Sequence, residues 1–166
     1  MTLPFRQCVT VPCGNMDTRV WLTETFAVQN LRHFLNKLNR SVLGRSAIRY
    51  GQGVGCVPVL EGGGSTRLHY HAIIDCPRPD HVTNFPLLIA DHWRSTQWGH
   101  WQVDCQADPD DGWLKYITKF RDKPSFADAI DWANLRLPRS LGTDPFHTPN
   151  PSYIRSEACT VRRLDP

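Results

Sequence analysis

The sequence predicts an α+β domain, a central antiparallel β-sheet of about five strands flanked by helices. Three observations predict it. Short apolar runs with alternating polar positions are bounded by glycine and proline, as strands joined by turns require. Two longer stretches, 25–43 and 109–122, carry apolar residues at helical spacing or a strong helix start. One pair of strands is separated by about five residues rich in glycine, a hairpin signal. Hairpin-linked strands with helices between them give an α+β arrangement.

Taken in order, residues 5–11 read as a first strand, and 12–15 hold turn residues. Trp21 and Leu22 extend the chain toward a helix over 25–43. There Leu31, Phe34, Leu35, Leu38 and Val42 keep one face apolar, while Arg32, Asn36, Lys37 and Arg40 fall mostly on the outer side. Gly44 is a natural stop. Residues 47–51 and 54–60 read as strand material broken by Gly51, Gly53 and Gly55. The strand over 67–75 follows and ends at Pro77 and Pro79. Asp80 can cap a second helix over 81–94, interrupted by Pro86. Residues 98–106 alternate as a strand. Asp108, Pro109, Asp110 and Asp111 start a helix over 109–122, since proline suits the first helical position and acids suit the positive end of the dipole. Ser125 with Asp128 resembles a capping box for a short helix to residue 135. Pro138, Gly142, Pro145, Pro149 and Pro151 mark an irregular tail. The expected division is one domain over 1–136 and a proline-rich tail over 137–166.

At 166 residues the chain suits a single domain with a real core. It has no run of about 18 apolar residues to span a membrane and no basic-then-apolar leader, so a cytoplasmic protein is expected. The six cysteines are scattered without a close pair, which argues against a zinc ribbon or a disulfide framework. The net charge of +3 is mild, but residues 24–50 are locally basic, with Arg32, Lys37, Arg40, Arg45 and Arg49 against Glu24. Such a segment can neutralise phosphates.

The strand over 67–75 carries the chemistry. Alternation puts Leu68, Tyr70, Ala72 and Ile74 on a core face and Arg67, His69, His71, Ile73 and Asp75 on the other. Neutral imidazole is the commonest protein metal ligand, and two on one rigid strand can take neighbouring positions on one cation. Residues 57–61 form the preceding strand. With Glu61 opposite Arg67, Glu61 shares the histidine face and is the diagonal neighbour of His69. A slip of one residue would bury its carboxylate in the core, at a cost. Pro58 implies an edge or a bulge. Two histidines and one carboxylate leave coordination positions open, as a catalytic site requires. On the helix over 109–122, Tyr116 and Lys119 share a face. A nearby cation or Lys119 would favour the phenolate of Tyr116 and make it a nucleophile.

Together these residues resemble the HUH endonucleases, and within them the rolling-circle replication initiators of plasmids, phages and small single-stranded DNA viruses. The family's histidine–hydrophobic–histidine motif is matched by His69, Tyr70 and His71. Its helical tyrosine with a lysine three residues later is matched by Tyr116 and Lys119, and its acid on the preceding strand by Glu61. The matches span residues 55–120; the family's first motif has no convincing counterpart in residues 5–11. The resemblance implies an HUH-nuclease-like sheet with the histidines on its central strand. It implies Mn²⁺ or Mg²⁺ held by Glu61, His69 and His71, and nicking of single-stranded DNA at an origin hairpin or nick site by Tyr116. Arg67, Arg32, Lys37, Arg40 and Lys115 are candidate phosphate contacts, and Trp93, Trp98, Trp101 and Trp113 are either stacking platforms or core. No GxxxxGK[ST] loop occurs, so helicase and polymerase would come from the host in trans. Other readings are a single-stranded insertion-sequence transposase of the same superfamily, whose tyrosine helix commonly carries glutamine where Lys119 stands, a non-catalytic origin-binding protein, and a structural zinc protein.

Overall fold

The computed structural model describes residues 1–63, 66–106 and 126–137. It is an α+β arrangement with a three-stranded antiparallel sheet and a separate two-stranded ribbon. In chain order the elements are β1 (Thr2–Pro4), β2 (Cys8–Cys13), β3 (Met16–Trp21), α1 (Glu24–Leu43), α2 (Arg45–Arg49), β4 (Cys56–Gly63) and β5 (Thr66–Ile74). A 3₁₀ turn (Pro79–Asn84), α3 (Phe85–Arg94) and the four-residue α4 (Phe126–Ala129) follow. β5 is the central strand, between β1 and β4. Isolated bridges extend both edges: Phe5 to Gly99 and Thr2 to Asp104 beyond β1, Cys56 to Arg136 and Val59 to Ile130 beyond β4.

α1 covers one face of this sheet. Leu31, Phe34, Leu35 and Leu38 pack with Leu3, Leu60, Leu68, Tyr70 and Ala72 in one core. Thr23 caps α1 by accepting from the Phe26 amide at 3.3 Å, and Gly44 ends it with a positive φ of 55°. Two asparagines on the buried face of α1 fasten loops to it. Asn39 accepts from the Val54 amide at 2.8 Å. Asn30 donates to Thr96 Oγ1 at 3.0 Å and accepts from the Trp98 amide at 3.2 Å. Trp93 is fully buried against Phe5 and Phe34 and donates its indole N–H to the Pro4 carbonyl.

Several elements differ from the sequence reading. The expected first strand over 5–11 is not continuous: β1 ends at Pro4, Phe5 makes an isolated bridge to Gly99, and β2 begins only at Cys8, after Gln7. The Gln7 side chain takes over the backbone pairing there, donating to the Leu68 carbonyl at 3.1 Å and accepting from the Leu68 amide at 3.2 Å. β2 and β3 then form an unanticipated hairpin around Gly14, whose φ is 62°. Residues 47–49, the start of strand material expected over 47–51, lie instead in the helix Arg45–Arg49; arginine and alanine are good helix formers, and β4 starts only after Gly51, Gly53 and Gly55. Pro86 lies in the first turn of α3, where no amide hydrogen is needed. Asp80 pairs with Arg78 and does not cap the helix. Residues 98–106 make isolated bridges only. A side chain at Gly99 would meet the Trp93 carbonyl oxygen at 1.9 Å, so the chain bends there against the end of α3. The short helix expected to reach residue 135 stops at Ala129, and residues 130–136 run beside β4.

Tyr70, between the two histidines, points into the core and donates to Asp131 Oδ2 at 2.7 Å. Asn134 donates to the same oxygen at 2.6 Å. These bonds tie the 130–136 segment to β5. Burial, reinforced by the Asp131 carboxylate, pushes the Tyr70 phenol well above its ordinary range, so it remains a donor and not a nucleophile. Tyr70→Phe leaves Asp131 short of one donor. We expect it to destabilise the fold by about 1–3 kcal/mol, read as a lower urea midpoint with unchanged slope.

The five described cysteines are unpaired. Burial pushes the Cys56 thiol up to about 12, only partly opposed by Arg136, which leaves it protonated and inert at neutral pH. Among the described residues no helix is long and apolar enough to cross a membrane. The helix expected over 109–122 and the tail over 138–166 lie outside the described residues.

Candidate metal centre

The site is built on the β4–β5 pair. Glu61 stands directly opposite His69, and Val59 opposite His71. This register is two residues away from the expected pairing of Glu61 with Arg67. A slip of two preserves side-chain alternation, so Glu61, His69 and His71 still share a face, with Glu61 now a direct cross-strand neighbour. The cause is a register irregularity between Glu61 and Gly63. Gly62 has a φ of 95°, and a side chain on it would lie 2.3 Å from the Arg67 carbonyl oxygen. Only glycine lets the two backbones approach so closely there. Pro58 sits on β4 with its carbonyl accepting from the Asp131 amide, an edge position for a residue without an amide hydrogen.

The same irregularity orients His69. The Arg67 carbonyl lies 2.9 Å from His69 Nδ1. A carbonyl can only accept, so Nδ1 carries the proton and Nε2 presents its lone pair. On β1, Thr2 pairs with His71, and its hydroxyl lies 3.2 Å from His71 Nδ1. The hydroxyl can accept as well as donate, so this contact orients the ring and is compatible with the same tautomer. Both histidines are thereby aimed by their second nitrogen, as metal-ligating histidines commonly are.

The remaining atoms converge. The two Nε2 atoms are 3.3 Å apart, and Glu61 Oε2 lies 3.8 Å from His69 Nε2 and 3.6 Å from His71 Nε2. One ligand atom from each of the three residues falls within a 4.8 Å span. Ligands ~2.1 Å from a common cation at tetrahedral or octahedral angles stand roughly 3.0–3.4 Å apart, so small side-chain adjustments suffice. Three electron-pair donors facing one another repel unless a proton or a cation lies among them, and this donor set fits a divalent cation. The site is graded in exposure. The His71 side chain is 6% exposed, Glu61 18% and His69 29%, so an incoming ligand would reach the His69 side. Thr2→Val keeps the shape and removes the hydroxyl. We expect Mn²⁺ affinity to fall roughly 10-fold with little loss of stability, measured by titration and thermal melting.

Arg67 is exposed two residues from His69. The other basic candidates on described residues are elsewhere. Arg32 and Arg40 are exposed on α1, whose buried side packs on the sheet face opposite the histidines. Lys37 donates to Ser95 Oγ at 2.5 Å and to its carbonyl at 3.5 Å, holding the end of α3. Tyr116, Lys119 and Lys115 lie outside the described residues. Trp93 and Trp98 are core, Trp101 is exposed, and Trp113 also lies outside. Thr2 and Gly62 went unread in the sequence. The first had no local signal; the second was visible as part of a glycine run, but as a loop and not as a close approach.

No protein-family model, curated protein or solved structure matches the chain.

Proposed function

We propose that the chain is a metal-dependent enzyme of the HUH endonuclease type that nicks and rejoins single-stranded DNA, initiating rolling-circle replication of a plasmid, phage or similar small replicon. The observation that carries this reading is the convergence of Glu61 Oε2 with the aimed Nε2 atoms of His69 and His71, in a chain that also holds Tyr116 and Lys119 at one-turn spacing. The Tyr116 oxygen attacks the scissile phosphorus and the 3′ oxygen leaves. The products are a 5′-phosphotyrosyl adduct and a free 3′-hydroxyl that can prime synthesis. One phosphodiester replaces another, so rejoining needs no ATP. Lys119 offsets negative charge on the phenolate or the phosphate. A divalent cation held by Glu61, His69 and His71 would supply Lewis-acid polarisation of the phosphate; imidazole donors favour Mn²⁺ over Mg²⁺. Positioning and charge suffice for such a transfer.

The test is incubation with single-stranded oligonucleotides from candidate origins, with Mn²⁺ or EDTA, followed by a denaturing gel. A slow-migrating band that forms only with Mn²⁺ is expected. Binding without any such band across a broad pool would favour a non-catalytic origin-binding protein.

A further inference from the structure

A second feature opens beside the triad. Thr2, Pro4, Arg94, Trp101, Gln102 and Asp104 line a cleft of about 340 Å³, within the size range of small-ligand sites. Its floor is β1. Pro4 pairs with His69 and Thr2 with His71, and directly paired residues point to the same side of a sheet. The cleft therefore opens on the histidine face. Its far wall, anchored by the Thr2 to Asp104 bridge, is one strand position beyond β1 and two beyond β5. At ~4.8 Å per position that is roughly 10 Å from the histidines, a span of two or three stacked nucleotides at ~3.4 Å each.

The lining has the chemistry of a base site. Trp101 is 65% exposed, as Trp21 and Trp132 also are to a similar degree, but of these three only Trp101 lines the cleft, with the His100 ring 5.6 Å from its own. Arg94 fixes the backbone beneath it, donating its Nε to the Trp101 carbonyl at 2.8 Å. Gln102 offers both a donor and an acceptor. Asp104 lines the cleft, and Asp91 lies 3.7 Å from the Arg94 guanidinium. These carboxylates offset Arg94, the one basic side chain of the lining, so the cleft suits a neutral, flat, hydrogen-bonding group better than a phosphate.

We propose that this cleft holds an unpaired nucleobase of the strand whose phosphate lies at Glu61, His69 and His71, with Trp101 as its stacking platform. The assignment rests on the single-strand nuclease reading above and adds where that strand is gripped. A base seated there fixes the register of the strand relative to the triad, because β1 both floors the cleft and contributes the Thr2 contact to His71.

The test is anisotropy titration of the full chain, in a Tyr116→Phe background that prevents turnover, with labelled single strands of ~12 nucleotides. Trp101→Ala should weaken binding roughly 10- to 100-fold, and Trp101→Phe should restore most of it, since any aromatic face stacks a base. Mn²⁺ titration of the same variants should be unchanged, which separates stacking from damage to the triad. If the parent binds single strands and Trp101→Ala binds equally well, the cleft assignment is overturned and the nuclease reading stands. If the parent binds no single strand, both are overturned.

Discussion

Tyr116→Phe should eliminate the covalent protein–DNA adduct, lowering the rate by a factor of roughly 10⁴ or more, as loss of a nucleophile does. The substitution removes one oxygen and keeps the ring, so packing is disturbed little. The candidate metal ligands Glu61, His69 and His71 come from β4 and β5, more than forty residues earlier in the chain. Mn²⁺ affinity and single-strand binding should therefore stay near those of the parent. A gel run beside the two titrations separates the readings. A structural zinc protein would show no tyrosine dependence, and a water-directed nuclease would keep cleaving without forming an adduct. Tyr70 cannot substitute as the nucleophile, because its phenol points into the core and is held protonated by burial and Asp131.

The second large effect belongs to a residue with no chemistry of its own. Gly62→Ala places a methyl group 2.3 Å from a backbone oxygen in a conformation with φ of 95°. Both penalties act on backbone, which cannot rotate away as a side chain can. We expect about 2–4 kcal/mol of destabilisation. Relief of the clash would move the Arg67 carbonyl, the acceptor that aims His69. Metal affinity should fall as well, roughly 10-fold or more, even at temperatures where the variant remains folded. Gly63→Ala is the control: its φ is also positive, at 113°, but an added side chain meets nothing within 4 Å. It should cost stability and spare the metal affinity. Equal losses of metal affinity in the two variants would argue against the carbonyl as the positioning group.

These expectations also mark where the sequence could and could not be read. The histidine strand was legible because apolar Leu68, Tyr70 and Ala72 alternate with polar Arg67, His69 and His71, and the first three are core residues; the near-complete burial of His71 carries no such signal. α1 was legible because its apolar residues repeat at helical spacing and Gly44 ends it, while the Thr23 cap at its start went unread. The Glu61–His69–His71 cluster followed from alternation, since a register error of two leaves faces unchanged. What failed to show were tertiary facts. Thr2 reaches His71 across 69 residues, and nothing local in either segment signals the other. The β2–β3 hairpin was hidden because most of its residues are exposed on both faces, so no burial pattern marks it. Residues 98–106 alternate well enough, but Gly99 bends against Trp93 and spoils the strand. Arg32 and Arg40 were correctly placed on the outer side of α1. Which side of the sheet α1 occupies could not be read from α1 itself, and it lies across the sheet from the histidines.

The central claim is that Glu61, His69 and His71 form one divalent-cation centre, and electron paramagnetic resonance of Mn²⁺ titrated into the full chain tests it most directly. The account predicts one bound ion per chain, lost in His71→Ala, with the fold retained by circular dichroism. Either no bound ion in the parent, or an unchanged titration in His71→Ala, would contradict it.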